Sequence, residues 1–390
     1  MTMTATAQTL REKFSFTSSI AADVWSPKPN SKAYEWWYFD ALSDDGRDAV
    51  VIIFLDNFIF SPRYNRKKGD ALKPDRVENV SNLQVAAAAS GEINPQSQIH
   101  NPKSSVPAVA FTYYHDGKPV YRAINEFNAD EFSAGEDTPS CRIGENFFRF
   151  ESAPYGSGYF VSIKANLRKN CSLEAQFEWL SIESDFSPFA KTDSNDTHVW
   201  NLAVSRADVS GKINVKNEKG KELKAVQFRG TGYHDHNYDN RWLPETVRDW
   251  QWGRAHFNDS TAVFYRYKEC GESDGTTKLF TIRNGELRTR SAEYDEQQFA
   301  RDIFGIRYPQ RLTFTTEDNM RLRVKQTKII DSSFFYLRFL SEMTLTLRDG
   351  KPRKSTGITE YLNPKALKYR WLDWLVSMRI GRNGKGSFLP

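Results

Sequence analysis

Most of this 390-residue sequence reads as short β-rich runs separated by turn signals, and that pattern restricts the fold more than any other feature. Residues 48–55 are β-rich and mostly apolar, as in a strand covered on both faces. Residues 158–165, 212–215, 320–324 and 343–347 alternate apolar and polar side chains. Between the runs lie Asp44-Asp45-Gly46, Asp116-Gly117-Lys118-Pro119, Glu218-Lys219-Gly220 and Asp349-Gly350-Lys351-Pro352, all favourable turn sequences. Short strands at this spacing predict an antiparallel sandwich or barrel.

Composition narrows the function classes. Hydrophobic residues make up 39% and charged ones 26%, a globular balance. The length allows two domains with ample core. A net charge of +5 is modest for the size and gives no reason to expect a nucleic-acid partner. Cys141, Cys171 and Cys270 form no CxxC pair, which argues against a structural zinc site or disulfide framework and fits a reducing compartment. No apolar run reaches membrane-spanning length. Residues 1–19 read as a polar lead-in without the apolar core of a secretion signal, so the expected location is the cytoplasm. There is no GxSxG, no Walker A sequence, and no GxGxxG after a strand.

Three features organise the chain. Residues 61–107 are polar and carry four prolines after position 73; they predict a long excursion, interrupted by a strand near 83–89, that acts as a solvated loop or a pocket lid. An internal echo links Glu35-Trp36-Trp37-Tyr38-Phe39-Asp40 to Asp249-Trp250-Gln251-Trp252-Gly253-Arg254, each leading through a polar turn into a β-rich run. The break between the halves is expected at Leu243-Pro244-Glu245. The end predicts a helix over 364–379, with Leu367, Trp371, Leu375 and Met378 on one face. From residue 363 onward the chain has six Lys/Arg and one acid, a net +5 equal to that of the whole chain. This helix either rests on an anionic membrane or packs on the body with a solvated basic face.

The segment from Gly232 to Trp242 carries the densest chemistry. If it is a strand, Tyr233, Asp235 and Asn237 share one face and His234 and His236 the other. In Thr197-His198-Val199-Trp200, His198 and Trp200 likewise share a face. The expectation is that Asp235 and Tyr233 look into a pocket opposite His198 and Trp200. A carboxylic acid among aromatic rings is held protonated by burial. In the alkene protonation that the family resemblance below implies, rings such as Trp200, Tyr233, Trp36 and Trp250 would stabilise a carbocation, and neutral His198 would serve as base. Asn237 and Trp242 join the expected substrate contacts. From the residues alone, core packing is the first reading of each tryptophan, and a structural acid accepting backbone bonds in a turn that of Asp235. His234 and His236 with His256 could hold zinc, but no metal is expected. Glu35 is a second candidate acid, better read as an anchor of the first strand.

These segments resemble the carotenoid 1,2-hydratase family, with its AttH-like and, more distantly, lipocalin-like Diels–Alderase relatives. The likeness rests on Glu35-Trp36-Trp37-Tyr38-Phe39, His198-Val199-Trp200, Gly232-Tyr233-His234-Asp235-His236-Asn237, Phe304-Gly305-Ile306-Arg307-Tyr308-Pro309 and Gly357-Ile358-Thr359-Glu360-Tyr361, over about residues 20–380. It implies an all-β chain of two tandem lipocalin-like antiparallel barrels, 20–243 and 244–390, the second ending in a short helix, with a pocket near their junction. It also implies cofactor-independent chemistry on a long apolar isoprenoid or polyene, with Asp235 as proton donor and Tyr233, His198 and Trp200 as its family-matched companions. Hydration or proton-initiated cyclisation, a pericyclic cycloaddition, and ligand carriage without turnover all remain open. So do the oligomeric state and peripheral membrane contact through 365–390.

Overall fold

The computed structural model describes residues 14–28, 30–67, 105–154, 156–187 and 197–389. The chain is all-β in two sheets, as expected. The first contains β1 (Phe14–Thr17), β2 (Tyr34–Ser43), β3 (Asp48–Leu55), β4 (Ala108–His115), β5 (Lys118–Glu126), β6 (Phe132–Ala134), β7 (Ser140–Ile143), β8 (Asn146–Ala153), β9 (Gly156–Asn166), β10 (Ser172–Ser184), β11 (His198–Lys216) and β12 (Glu222–Asp239). Its order is β5-β4-β3-β2-β12-β11-β10-β9-β8-β7-β6, with β1 parallel to β11 off that path. The second contains β13 (Val247–Phe257), β14 (Ser260–Glu269), β15 (Thr276–Arg283), β16 (Glu286–Arg301), β17 (Arg307–Thr316), β18 (Arg321–Ser332), β19 (Tyr336–Thr346) and β20 (Pro352–Leu362), closed into a barrel by β13–β20 pairing. Among the described residues the ends of the curled first sheet do not pair, and the second half closes as a barrel.

Alternation sets which face each strand buries. On β10, Leu173, Ala175, Phe177 and Trp179 are buried while Glu174, Gln176 and Glu178 are exposed, the pattern of a sheet with one solvated face. On β2 every residue from Tyr34 to Ala41 is buried, because this strand separates two apolar layers. Trp37 and Phe39 join the layer inside the curl, with Phe148, Tyr159 and Trp179. Tyr34, Trp36 and Tyr38 join the layer facing the barrel, with Trp200, Tyr233, Trp252 and Tyr265. Gly232 belongs to this construction: a Cβ there would lie 2.4 Å from Trp179 Nε1, so only glycine lets the indole lie flat on β12.

The barrel interior is filled. Phe264, Leu279, Phe314, Leu322, Met343 and Leu345 form a separate cluster, while their strand neighbours Val263, Tyr265, Phe280 and Ile358 face outward onto the first sheet. A fully buried ion pair crosses this junction, Arg254 Nε to Asp40 Oδ1 at 2.9 Å. The chain itself passes between the sheets through the helical turn Leu243–Thr246.

One expectation changes and another is not reached. The continuous helix over 364–379 is broken into the 3-10 segments Pro364–Lys368 and Arg370–Leu372 and a short helix, Asp373–Ser377. Tyr369 adopts an extended backbone (φ −90°, ψ 110°) between the first two. The buried side chains are Pro364, Leu367 and Leu372, and Trp371 is exposed, so the apolar face drawn at ideal helical spacing does not form. Of the 61–107 excursion, the structure shows the turn of helix Pro62–Asn65 and the segment from 105 onward; the strand expected near 83–89 lies outside the described residues.

Removing one member of the buried pair leaves an uncompensated charge. Arg254→Met should cost about 3–5 kcal/mol of stability, and adding Asp40→Leu should recover most of it. Urea unfolding of the parent, the single and the double variant checks this.

Candidate active site

Between the curled sheet and the outer face of the barrel lies an apolar cavity with about 1230 Å³ of atom-free space, partly open to solvent. The first sheet contributes Trp36, Tyr38, Val51, Ile53 and Asp235; the barrel contributes Trp250, Trp252, Tyr336, Arg338 and Glu360; the terminal segment contributes Val376 and Ile380. The echoed segments therefore supply matching walls. Trp36 and Trp250 stack across the junction with centroids 5.6 Å apart, and Tyr38 meets Trp252 edge-on at 5.3 Å.

Asp235 reaches this wall because β12 pairs with β2 on one side and β11 on the other, placing it opposite Tyr38. Three side chains from the same sheet face grip its carboxyl. Trp200 Nε1 donates to Oδ2 at 2.9 Å, Tyr233 OH to Oδ2 at 2.7 Å, and Asn237 Nδ2 to Oδ1 at 2.9 Å. Trp200 thus stands beside Asp235 rather than opposite it. Burial raises the Asp235 pKa to about 8 despite the opposing hydrogen bonds from Trp200 and Tyr233. Loss of hydration outweighs the donors because an anion in an apolar cavity forfeits far more than two bonds return.

His198 lies one layer further back and does not line the cavity. Its Nε2 is 2.7 Å from Tyr265 OH, its Nδ1 is 3.3 Å from Tyr34 OH, and its ring stacks on Tyr267. Burial lowers its pKa to about 4, so it is neutral. Tyr265 OH continues to Asn237 Oδ1 at 3.4 Å, connecting His198 to Asp235 through two intermediates. Trp242 is also away from the cavity: its Nε1 donates to Asn65 Oδ1, and Lys32 sits over its ring. His234 and His236 face the inside of the curl. His234 Nε2 is 2.8 Å from Asp23 Oδ2 and its Nδ1 3.0 Å from the Tyr38 carbonyl, while His236 Nε2 is 2.7 Å from Glu35 Oε1. His256 spends its nitrogens on the Ser205 carbonyl and Arg254. Glu35 also pairs with Lys28, and no group of three or more potential ligands is arranged for a metal among the described residues.

Sequence reasoning did not single out Tyr38, Trp252, Tyr265, or the charged groups of the cavity wall: Arg122, Asp331, Arg338, Glu360 and Arg379. Period two had enough signal for some of these. Trp252 lies two residues from Trp250 and Tyr38 two from Trp36, so each shares its partner's face.

An open curled sheet laid against a closed, side-chain-filled barrel, with a neutral carboxyl between them, defines a lipocalin-like protein of tandem type. The chain belongs to the carotenoid hydratase family: the model described as carotenoid hydratase CrtC matches residues 187–388. The chain is 25% identical over 379 residues to a protein named hydroxyneurosporene dehydrogenase from Chlorobaculum tepidum, covering 95% of this chain and 93% of that one. It is 25% identical over 306 residues to the acyclic carotenoid 1,2-hydratase of Rubrivivax gelatinosus, covering 78% of this chain and 64% of the relative. Among solved structures, an AttH-type protein from Nitrosomonas europaea aligns with a TM-score of 0.53 at 14% identity, over 85% of this chain and 92% of that one. CghA bound to Sch210972 aligns at 0.52 and 11% identity, over 85% and 89%. At these identities the structural likeness concerns the fold.

The raised pKa makes a stability prediction. Folded protein holds the Asp235 proton up to about pH 8, whereas the unfolded chain releases it near the ordinary 3.8. This group's contribution is therefore complete below about pH 4 and lost as pH rises to about 8. Asp235→Asn should become progressively more stable relative to the parent over that interval. Paired urea titrations at pH 5 and pH 8 measure the difference.

Proposed function

We propose that this protein adds water across a carbon–carbon double bond of an acyclic carotenoid, with Asp235 as the proton donor. The observation that carries the reading is a protonated carboxyl on the wall of an otherwise largely apolar, aromatic-lined cavity. Trp200 and Tyr233 hold Oδ2, which leaves Oδ1 to present the transferable proton, and Asn237 fixes that oxygen's direction. Proton transfer to the alkene carbon leaves Asp235 as the carboxylate and a tertiary cation in the cavity. The faces of Trp36, Trp250 and Trp252 are placed to stabilise that charge, and the three donors then stabilise the new carboxylate. Tyr265 and His198 act as positioning residues through Asn237.

Asp235→Asn keeps the side-chain shape and removes the proton. It should lower turnover of an acyclic carotenoid at least about 10²-fold while ligand affinity changes little. Product mass on the same preparations separates the outcomes. A gain of one water supports hydration, an isomeric product signals cyclisation or cycloaddition, and binding without product signals a carrier.

The reading extends to how an insoluble polyene arrives. On the terminal segment, Tyr369, Trp371 and Trp374 are 46%, 70% and 58% exposed, beside Lys365, Lys368 and Arg370. Exposed aromatics among basic residues suit the interface of an anionic bilayer, and Val376 of the same segment lines the cavity. Trp371→Ala/Trp374→Ala should lose most sedimentation with anionic vesicles at low salt while leaving thermal stability and turnover of detergent-dispersed polyene unchanged.

A further inference from the structure

Hydration needs a second group: something must take a proton from the water that captures the cation. His198 does not line the cavity, and its ring nitrogens face Tyr34 and Tyr265. Among the described residues two carboxyl side chains besides Asp235 do line it, Asp331 and Glu360. Asp331 is bound to Arg122 at 2.7 Å, with Arg338 at 3.8 Å. Glu360 is placed differently. It stands on β20 between Trp252 of β13 and Arg338 of β19 in the strand register, so all three project from the outer face of the barrel toward the curled sheet. Trp252 in turn lies 5.0 Å, ring to ring, from Tyr233, the phenol that donates to Asp235.

We propose that Glu360 is the base that activates water, facing Asp235 from the barrel side of the cavity. This rests on the hydration reading above. Its pairing supports the role. Arg338 is buried and donates through Nε to Glu360 Oε1 at 2.8 Å, but turns Nη1 to Tyr114 OH at 3.0 Å. The guanidinium fork is therefore shared among Glu360, Tyr114 and, at 3.8 Å, Asp331, and Oε2 stays outside the Nε–Oε1 bond. The buried guanidinium fixes the direction of the Glu360 carboxyl through this bond. Tyr38, opposite Asp235 on β2 and lining the same cavity, has a buried hydroxyl with no hydrogen-bond partner among the described residues. It can hold the attacking oxygen between the two carboxyl groups.

The steps balance. The Asp235 proton forms a C–H bond with the alkene's π electrons, giving the cation and the Asp235 carboxylate. Water then forms the C–O bond as one of its O–H bonds breaks toward Glu360. Return of that proton to Asp235 through solvent restores the site, and the net change is alkene plus water to tertiary alcohol. One carboxyl group gives a proton to the alkene and the other takes one from water.

The test uses the full chain with detergent-dispersed lycopene in deuterated buffer, measuring hydrated product and deuterium in the recovered polyene. The parent should yield mainly labelled alcohol. Glu360→Gln should lose hydration about 10²-fold or more yet keep placing deuterium in the polyene, since the cation still forms and collapses by proton loss. Asp235→Asn should lose both. Normal hydration by Glu360→Gln overturns the proposal, and so does joint loss of hydration and deuterium uptake in a folded variant. Glu360→Asp keeps the charge against Arg338 but shortens the reach; an unchanged ratio of alcohol to labelled polyene also overturns it, including where the Gln variant fails to fold. A parent that neither hydrates nor exchanges sinks the hydration reading itself, a result distinct from any of these.

Discussion

The buried pairing of Arg254 with Asp40 ties the barrel to the curled sheet at their junction. It sets how the outer face of the barrel lies on the curled sheet, and so where the cavity walls stand. The two residues occupy corresponding places in the echoed segments: Asp40 follows Trp36 by four positions, and Arg254 follows Trp250 by four. Each segment thus presents an aromatic at its start and a charge of opposite sign further along the same face. The stacked tryptophans and the ion pair are two contacts between the same two strands. A charge pair in an apolar layer is costly to form and more costly to break on one side, so the registry it imposes is strict.

That registry creates the unusual environment of Asp235. Its three donors would ordinarily favour the anion, yet they come from the sheet side only, while the cavity side offers mostly aromatic and aliphatic surface, with the carboxyl of Glu360 adding to the rise in pKa. Desolvation wins before proton transfer, and the donors become fully effective afterwards. The site is thereby matched more closely to the state that forms during reaction than to the resting one.

The fold class was legible because alternation and turn residues are local signals, and they survive in strands such as β10. The opposed faces of Tyr233–Asp235–Asn237 and His234–His236 were legible for the same reason: period two needs no tertiary information. The partners across the cavity were not. Nothing in the sequence near Glu360 or Arg338 says that β19 and β20 turn their outer faces toward β2 and β12. The face of His198 was legible but its depth was not. It does share the barrel-facing side of its sheet with Trp200, but β1 and the Phe14 ring cover it. The terminal helix failed because helical spacing alone cannot register that Leu367 and Leu372 have places to fill in the core while Trp371 has none.

The packed interior of the barrel has a consequence for how such a protein diversifies. In a hollow barrel, the bore limits what fits, and widening it means rebuilding every strand. Here the barrel is a solid block, and the container is the gap between that block and a neighbouring sheet. Its width is a matter of spacing and its length a matter of where the terminal segment crosses. A change of guest then needs only a few outward-facing side chains or a small slide of one body along the other, and leaves both hydrophobic interiors untouched.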